Sequence, residues 1–299
     1  MRRHVLALAL TLLSPVFLSP GPASAEPTLS ALAASLPAPG GQVRAAVIFG
    51  RSLDGVGSSS SLKATASLLP DRPGPVDTVD AFTVETELTA DDLDSRRQLQ
   101  VYGDLVAPPG RYRLRLEMLV GEESASADYP LELEAPATEG PSLLPPLLAD
   151  DEEFVAAFYE HEENGRRRND EPVDVRQPPS DYPFRAAGEP LVPDISPRLD
   201  EDRPRSRVCL TGRQLTDEET FLETSLIAAD GTQLSKERLA VVSSDEANRF
   251  GFETLCLGLD SQGLEAGLYQ LNVTLHDFEG RDTQRMEMPI EIVVGASLE

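Results

Sequence analysis

Apolar and polar residues alternate one by one from Tyr112 to Met118. Tyr112, Leu114, Leu116 and Met118 form one set, and Arg111, Arg113, Arg115 and Glu117 the other. A period of two puts these sets on opposite faces of a β-strand, one packed and one wet. The pattern returns in Gly267-Leu-Tyr269-Gln-Leu271-Asn-Val273-Thr-Leu275, which repeats Gly110-Arg-Tyr112-Arg-Leu114-Arg-Leu116-Glu-Met118. Each copy leads into a closing run, Tyr129-Pro130-Leu131-Glu-Leu133 and Met288-Pro289-Ile290-Glu-Ile292. The copies lie 157 residues apart at the glycine and 159 at the proline. Such an offset indicates two homologous modules, not a solenoid, whose period is roughly 20–50 residues. Pro130 lacks an N–H for the ladder, which assigns its strand to a sheet edge or a bulge.

The rest of the chain carries the same signals more weakly. After a loose Pro/Ala/Gly start, Val43–Phe49, Ala64–Leu69, Phe82–Leu88 and Leu99–Val101 read as short strands, with turns at Pro70–Pro75 and Asp91–Asp94. In the second half, strands are expected at 207–210, 222–227, 239–241, 252–259, 268–275 and 286–294, with Ala229-Asp230-Gly231 as a hairpin turn. Between the halves, Pro, Asp, Glu and Arg dominate. There Asp150–Glu163 has an N-cap at Asp150, Glu153 three residues on and Gly165 as a stop, which favours a short helix. Phe154-Val-Ala-Ala-Phe158-Tyr159 fits a strand as well, because so short an apolar run carries no decisive period. The fold class expected is all-β: two tandem Ig-like or fibronectin-type β-sandwiches at 40–136 and 191–295. They are joined by a polar, Pro-rich connector at 137–190 carrying one short helix, and each module is expected to fold by itself.

Residues 1–25 read as a signal peptide, with Arg2 and Arg3, an apolar Val5–Leu18 and a small-residue site placing cleavage between Ala25 and Glu26. The apolar part is shorter than the roughly 20 residues of a spanning helix. Arg2-Arg3 also fits a twin-arginine signal, although a basic start is ordinary. The expectation is an exported chain, periplasmic or extracellular, with no membrane insertion after cleavage. Export without these 25 residues takes two arginines from the formal charge of −25, leaving −27 over 274 residues. A polyanion of this size repels phosphate backbones, so nucleic acid is excluded as a partner. Solubility accounts for the charge; a cationic partner, divalent ions included, is its functional alternative. The absence of Trp and the 5% aromatic content disfavour a sugar-binding module.

Gly110-Arg-Tyr112 and Gly267-Leu-Tyr269 resemble the start of strand F in immunoglobulin and fibronectin-type sandwiches. There a tyrosine near the strand start bonds back to the preceding corner. The resemblance implies such corners at Tyr112 and Tyr269, set by Gly110 and Gly267. Leu114 and Leu271 stand where an immunoglobulin domain has its core cysteine, so the usual inter-sheet disulfide is missing. More narrowly, Leu105-Val-Ala-Pro-Pro-Gly-Arg-Tyr-Arg-Leu-Arg-Leu116, Asp181-Tyr-Pro-Phe-Arg185 and Leu191-Val-Pro-Asp-Ile-Ser-Pro197 resemble the tandem β region that follows the von Willebrand A-like domain in VWFA-related proteins of acidobacterial type. The likeness covers most of residues 40–294. The A-type domain itself is absent, and Asp54-Gly-Val-Gly-Ser58 lacks the spacing of its metal-adhesion signature, so no metal ligand or catalytic residue carries over.

The two cysteines, Cys209 and Cys256, favour a disulfide over free thiols in an exported chain. With Val208 and Leu210 inward, Cys209 points outward. Leu255, Leu257 and Leu259 put Cys256 outward too, although Phe250 and Phe252 argue for the other register. In an Ig-like order these are the neighbouring strands B and E. The expected bridge is therefore outward, accessible to reductant, and stabilising for the second module alone. His161 sits in Glu-His-Glu-Glu without zinc-protease spacing, and His276 reads as a surface histidine beside Asp277. Asp91-Asp92-Leu-Asp94 and Asp200-Glu-Asp202 lack the calcium-loop layout. Asn272-Val-Thr274 matches a glycosylation sequon in mid-strand. No catalytic residue, metal site or cofactor is assigned. The expected function is an exported, non-enzymatic binding or scaffolding protein with a protein partner. Its alternatives are a calcium-dependent adhesion module and a hydrolase, or hydrolase subunit, with an acid pair.

Overall fold

The computed structural model describes residues 29–53, 60–72, 78–93, 96–135, 140–149, 155–161, 174–200, 205–215, 220–234, 239–247, 251–277 and 279–293. Nearly all of it is β-structure. The first half forms β1 (Ser30–Pro37), β2 (Val43–Ser52), β3 (Ser60–Pro70), β4 (Asp80–Leu88), β5 (Gln98–Ala107), β6 (Gly110–Val120) and β7 (Glu123–Leu133), with one helical turn, α1 (Ala90–Leu93). The middle contributes β8 (Ser142–Leu143), β9 (Leu147–Ala149), β10 (Val155–Tyr159), β11 (Arg185–Ala186) and β12 (Glu189–Pro190). The last part forms β13 (Arg198–Asp200), β14 (Arg205–Arg213), β15 (Phe221–Ala228), β16 (Leu239–Asp245), β17 (Glu253–Asp260), β18 (Gly267–His276) and β19 (Asp282–Val293).

Four sheets make two sandwiches. In the first module, β1-β2-β5-β10 faces β4-β3-β6-β7; in the second, β16-β17-β14-β8 faces β13-β19-β18-β15, and β9 also pairs with β14. The repeated strands are β6 and β18, and their alternation holds. Leu114, Leu116 and Met118 lie in the first core, and Leu271, Val273 and Leu275 in the second. Pro130 falls on β7, which among the described residues pairs with β6 alone and is an edge. Pro289, its counterpart, sits just outside the stretch of β19 that β13 covers, Glu291 to Val293. Within the first core, Gly103 lets β5 pass beneath Phe82: a Cβ there would lie 2.6 Å from the ring.

The modules differ in their fourth strand. β4 hydrogen-bonds to β3, whereas its counterpart β16 has moved to the other sheet and pairs with β17. The second module thereby has the immunoglobulin constant-type arrangement, with β8/β9, β14, β17 and β16 in one sheet and β15, β18 and β19 in the other. In the first module β4 stays beside β3, which leaves the outer edge of β5 open, and β10 fills it in parallel register, Val155 against Gln98 through Tyr159 against Tyr102.

Three expectations are corrected here. Residues 155–159, for which a helix was favoured, form the strand β10; residues 150–154 and 162–163 lie outside the described set. An open edge on β5 offers five residues a ladder and two buried faces. Ala156 and Phe158 enter the first core, and Ala157 and Tyr159 face the opposite way. The start of the first module is also earlier than residue 40, because the Ala-rich segment 30–37 pairs along its whole length with β2. The connector, finally, is no spacer. After β7 the chain joins the second module as β8 and β9, returns to the first as β10, then runs on to β13 and the second module. Each sandwich therefore contains connector strands, β8 and β9 in the second and β10 in the first.

Candidate functional site

A third hydrophobic core fills the junction. The outer face of the first module supplies Leu32, Leu36 and Ile48, the connector supplies Tyr159, Tyr182 and Phe184, and the second module supplies Cys209, Phe252 and Cys256. The sheet β1-β2-β5 is thus buried on both faces, which explains why β2 is apolar almost throughout. Tyr182 is the pivot of an aromatic cluster: its ring centroid is 4.8 Å from Tyr102, 5.5 Å from Tyr159 and 5.7 Å from Phe184, all edge-on. The Tyr182 hydroxyl donates to the Leu191 carbonyl at 2.7 Å, and that of Tyr102 to the Asp104 carboxylate at 2.8 Å. Burial pushes both phenols well above their ordinary range, and the Asp104 charge adds to the effect at Tyr102.

Where this core meets solvent, it opens into a cleft of about 740 Å³. Pro37 at the end of β1, with Ala38 and Pro39 after it, forms one wall; Pro178 and Pro179 form another. Arg44 and Asp104 line the floor, and Glu160, His161, Asp174 and Asp181 stand around them. Arg44 is spent on structure. Its Nη1 donates to the Asp181 carboxylate at 2.7 Å, its Nη2 to the Asp181 carbonyl at 2.8 Å, and its Nε lies 3.3 Å from Asp104. Burial opposes the charge on this guanidinium, yet Asp104, Tyr102 and Asp181 together outweigh it and hold its pKa above the ordinary arginine value. The His161 Nε2 is 2.9 Å from the Gln177 carbonyl oxygen. Four carboxylates therefore surround one neutralised cation, and the electrostatic character of the cleft is acidic.

A second tie lies on the far side of β10. Arg176 donates to Asp92 at 2.8 Å and to the Glu87 carbonyl at 3.1 Å, while its guanidinium sits 5.4 Å from the Phe158 ring centroid. Partial burial works to raise the pKa of the Asp92 carboxyl, but the hydrogen bonds from Arg176 and Thr89 prevail and lower it. Of the acidic run singled out for calcium, Asp92 is thus engaged by an arginine, and Asp94 lies outside the described residues.

The predicted residues take the following places. Cys209 and Cys256 are disulfide-bonded across directly opposed positions of β14 and β17, with Cα atoms 4.1 Å apart. Both point away from the core of their own sandwich, as the flanking leucines implied, and Phe252 shares their face. The expected accessibility is corrected: both are completely buried, because the connector and the first module cover this face. A bridge so placed packs against the first module and the connector as well as its own sandwich. The Tyr112 hydroxyl donates to the Pro108 carbonyl at 2.7 Å and that of Tyr269 to the Glu265 carbonyl at 3.0 Å, each four residues back. Gly110 and Gly267 open the two strands. His276 lies with Nδ1 3.0 Å from Asp282 and Nε2 3.5 Å from Glu223, while Asp277 is bound by Arg281. Asn272 is buried in β18, so its sequon presents no accessible amide. Ala25, Glu26, residues 54–58, Glu201 and Asp202 lie outside the described residues. The cleft residues Arg44, Asp104 and Asp181 had no signal in the sequence beyond isolated charges, two on strands and one in a turn.

No protein-family model matches the chain, and no curated protein matches it. Among solved structures it is similar to a transglutaminase from red sea bream, at 10% identity and a TM-score of 0.24, covering 91% of this chain and 32% of that one. An Escherichia coli alpha-2-macroglobulin activated by porcine elastase is similar at 12% identity and a TM-score of 0.24, covering 90% and 22%. Tandem Ig domains of titin are similar at 8% identity and a TM-score of 0.20, covering 85% of this chain and 87% of that one. The chain thus spans about a third or less of the first two. The Ig-like assignment is carried by the strand order given above.

Proposed function

We propose that the chain is an exported, non-enzymatic binding protein in which two Ig-like sandwiches form one rigid platform. The acidic cleft at their junction is its recognition site, and the partner is a protein segment bearing Lys or Arg. The observation that supports this most is the cleft itself. Its guanidinium and its histidine are committed to protein oxygens, a pattern suited to holding a shape. Its proline walls offer apolar surface to the alkyl stem of a long cationic side chain, and its carboxylates offer counter-charge. The whole-chain charge of −25 steers cations toward it and makes binding sensitive to salt. Export rests on the basic, apolar and small-residue pattern of the first 25 residues and fits the disulfide.

The test is titration of the full chain with an Arg/Lys-rich peptide and with its Asp/Glu counterpart. The basic peptide should bind, weaken as salt rises, and weaken several-fold in the Glu160→Gln/Asp174→Asn double variant. Equal binding of both peptides, or binding unaffected by the double variant, contradicts the assignment of the site.

A further inference from the structure

The outer face of the β14–β17 pair carries successive cross-strand couples. Arg213 stacks on Phe252 with its guanidinium 5.1 Å from the ring centroid, and Thr211 and Thr254 have their hydroxyls 3.3 Å apart. Cys209 and Cys256 come next along the strands, and the row extends sideways to Leu147 of β9 and Ser243 of β16. Among the described residues, the cover of this face comes from the connector and the first module. Thr254 donates to the Arg185 carbonyl at 2.8 Å, Tyr182 and Phe184 of the connector join the same core, and Leu32, Leu36 and Ile48 close it from the first module. With the cover in place both cysteines have zero exposure. With the second sandwich formed but uncovered, the pair would stand on an open sheet surface at bonding register.

Thiol–disulfide exchange proceeds by attack of an exposed thiolate on a disulfide sulfur, through a mixed disulfide, and therefore requires access. We infer that the Cys209–Cys256 bond forms on the bare face of the second module, before the connector and the first module close over it, and that closure then protects it from reductant. Two thiols lose two protons and two electrons as the S–S bond forms, and the disulfide of a small-molecule or protein oxidant takes up both protons and both electrons as its S–S bond breaks to give two thiols. The junction is on this account assembled last, on a covalently finished surface.

Two measurements on the full chain test this, both read by alkylation of free thiols and mass spectrometry. In the first, the oxidised protein is held in dithiothreitol with and without denaturant. Reduction without denaturant should be slower by roughly a hundredfold or more, since it waits on opening of the junction. The Phe184→Ala variant, thinning the cover, should narrow that gap. Reduction at similar rates with and without denaturant overturns the inference. In the second, the reduced, denatured chain is diluted into native buffer, with glutathione disulfide present from the start or added after refolding. Early oxidant should form the bond at least about tenfold faster than late oxidant. A reduced chain that stays unfolded until oxidant arrives would form the bond before the second sandwich exists, and that too overturns the inference. A reduced chain that refolds fully and then oxidises as fast as the unfolded one refutes it.

Discussion

The side-chain amide of Gln284 pairs with the backbone of Leu143 in both directions. The Leu143 N–H donates to Gln284 Oε1 at 2.7 Å, and Gln284 Nε2 donates to the Leu143 carbonyl at 2.8 Å. Gln284 belongs to β19 and Leu143 to β8, in opposite sheets of the second sandwich, so one glutamine performs the work of a strand neighbour. Through it the connector is fastened to the sheet that it does not join.

Replacing Gln284 with Ala leaves a backbone N–H and a carbonyl at a nearly buried residue without protein partners. The expected loss is about 1–3 kcal/mol of stability. Chemical denaturation should show a lower midpoint at an unchanged slope. A midpoint equal to wild type would show that water replaces the amide at no cost.

The two tyrosine corners should separate by burial. Tyr269 is 8% exposed, whereas Tyr112 is only half-buried. Tyr269→Phe should cost about 1–1.5 kcal/mol, and Tyr112→Phe less, since water reaches the Pro108 carbonyl more readily. Equal costs at both positions, measured by the same denaturation, would argue against this ranking.

These corners and their strands were legible because their determinants are local: a period of two, a glycine and a tyrosine in each copy. What escaped the sequence was set by distant edges. Phe158 and Tyr159 sit in an apolar run that serves helix or strand, and the open edge of β5, some 55 residues earlier, decides for strand. Segment 30–37 is rich in Ala and Ser and reads as loose, yet β2 gives it eight register partners. Alternation around Cys209 identified the side of the sheet on which it lies. It carried no information about the Tyr182 and Phe184 cover on that side, and so burial was missed. The same holds for the cleft, whose Arg44, Asp104 and Asp181 come from three separate segments.

Alkaline pH should destabilise the protein through Tyr102 and Tyr182. Their folded pKa values are raised, so the folded state retains protons that the unfolded state releases near pH 10. The contribution is complete below that value and is lost as pH rises toward the folded values. Stability should therefore hold steady up to about pH 9 and fall above about pH 10, with the tyrosinate absorbance of these two rings appearing only on unfolding. A Tyr182→Phe variant should show a shallower fall. Early ionisation of all six tyrosines in folded protein would contradict the buried cluster.

Fragments cut at the apparent module boundaries should fail. A 40–136 piece lacks β1 and β10 and bares both edges of one sheet, and a 190–295 piece lacks β8 and β9 beside β14. Neither is expected to give a cooperative β-rich transition by circular dichroism. A fragment that unfolds cooperatively at the temperature of the intact chain would show that the connector strands are dispensable.

The central claim, that two sandwiches and their connector are one structural unit, is tested most directly by calorimetry of the intact, oxidised chain. A shared core and strands donated in both directions predict a single heat-absorption peak whose calorimetric and van't Hoff enthalpies agree. Two resolved peaks, one of them unchanged when the Cys209–Cys256 bond is removed, would contradict it.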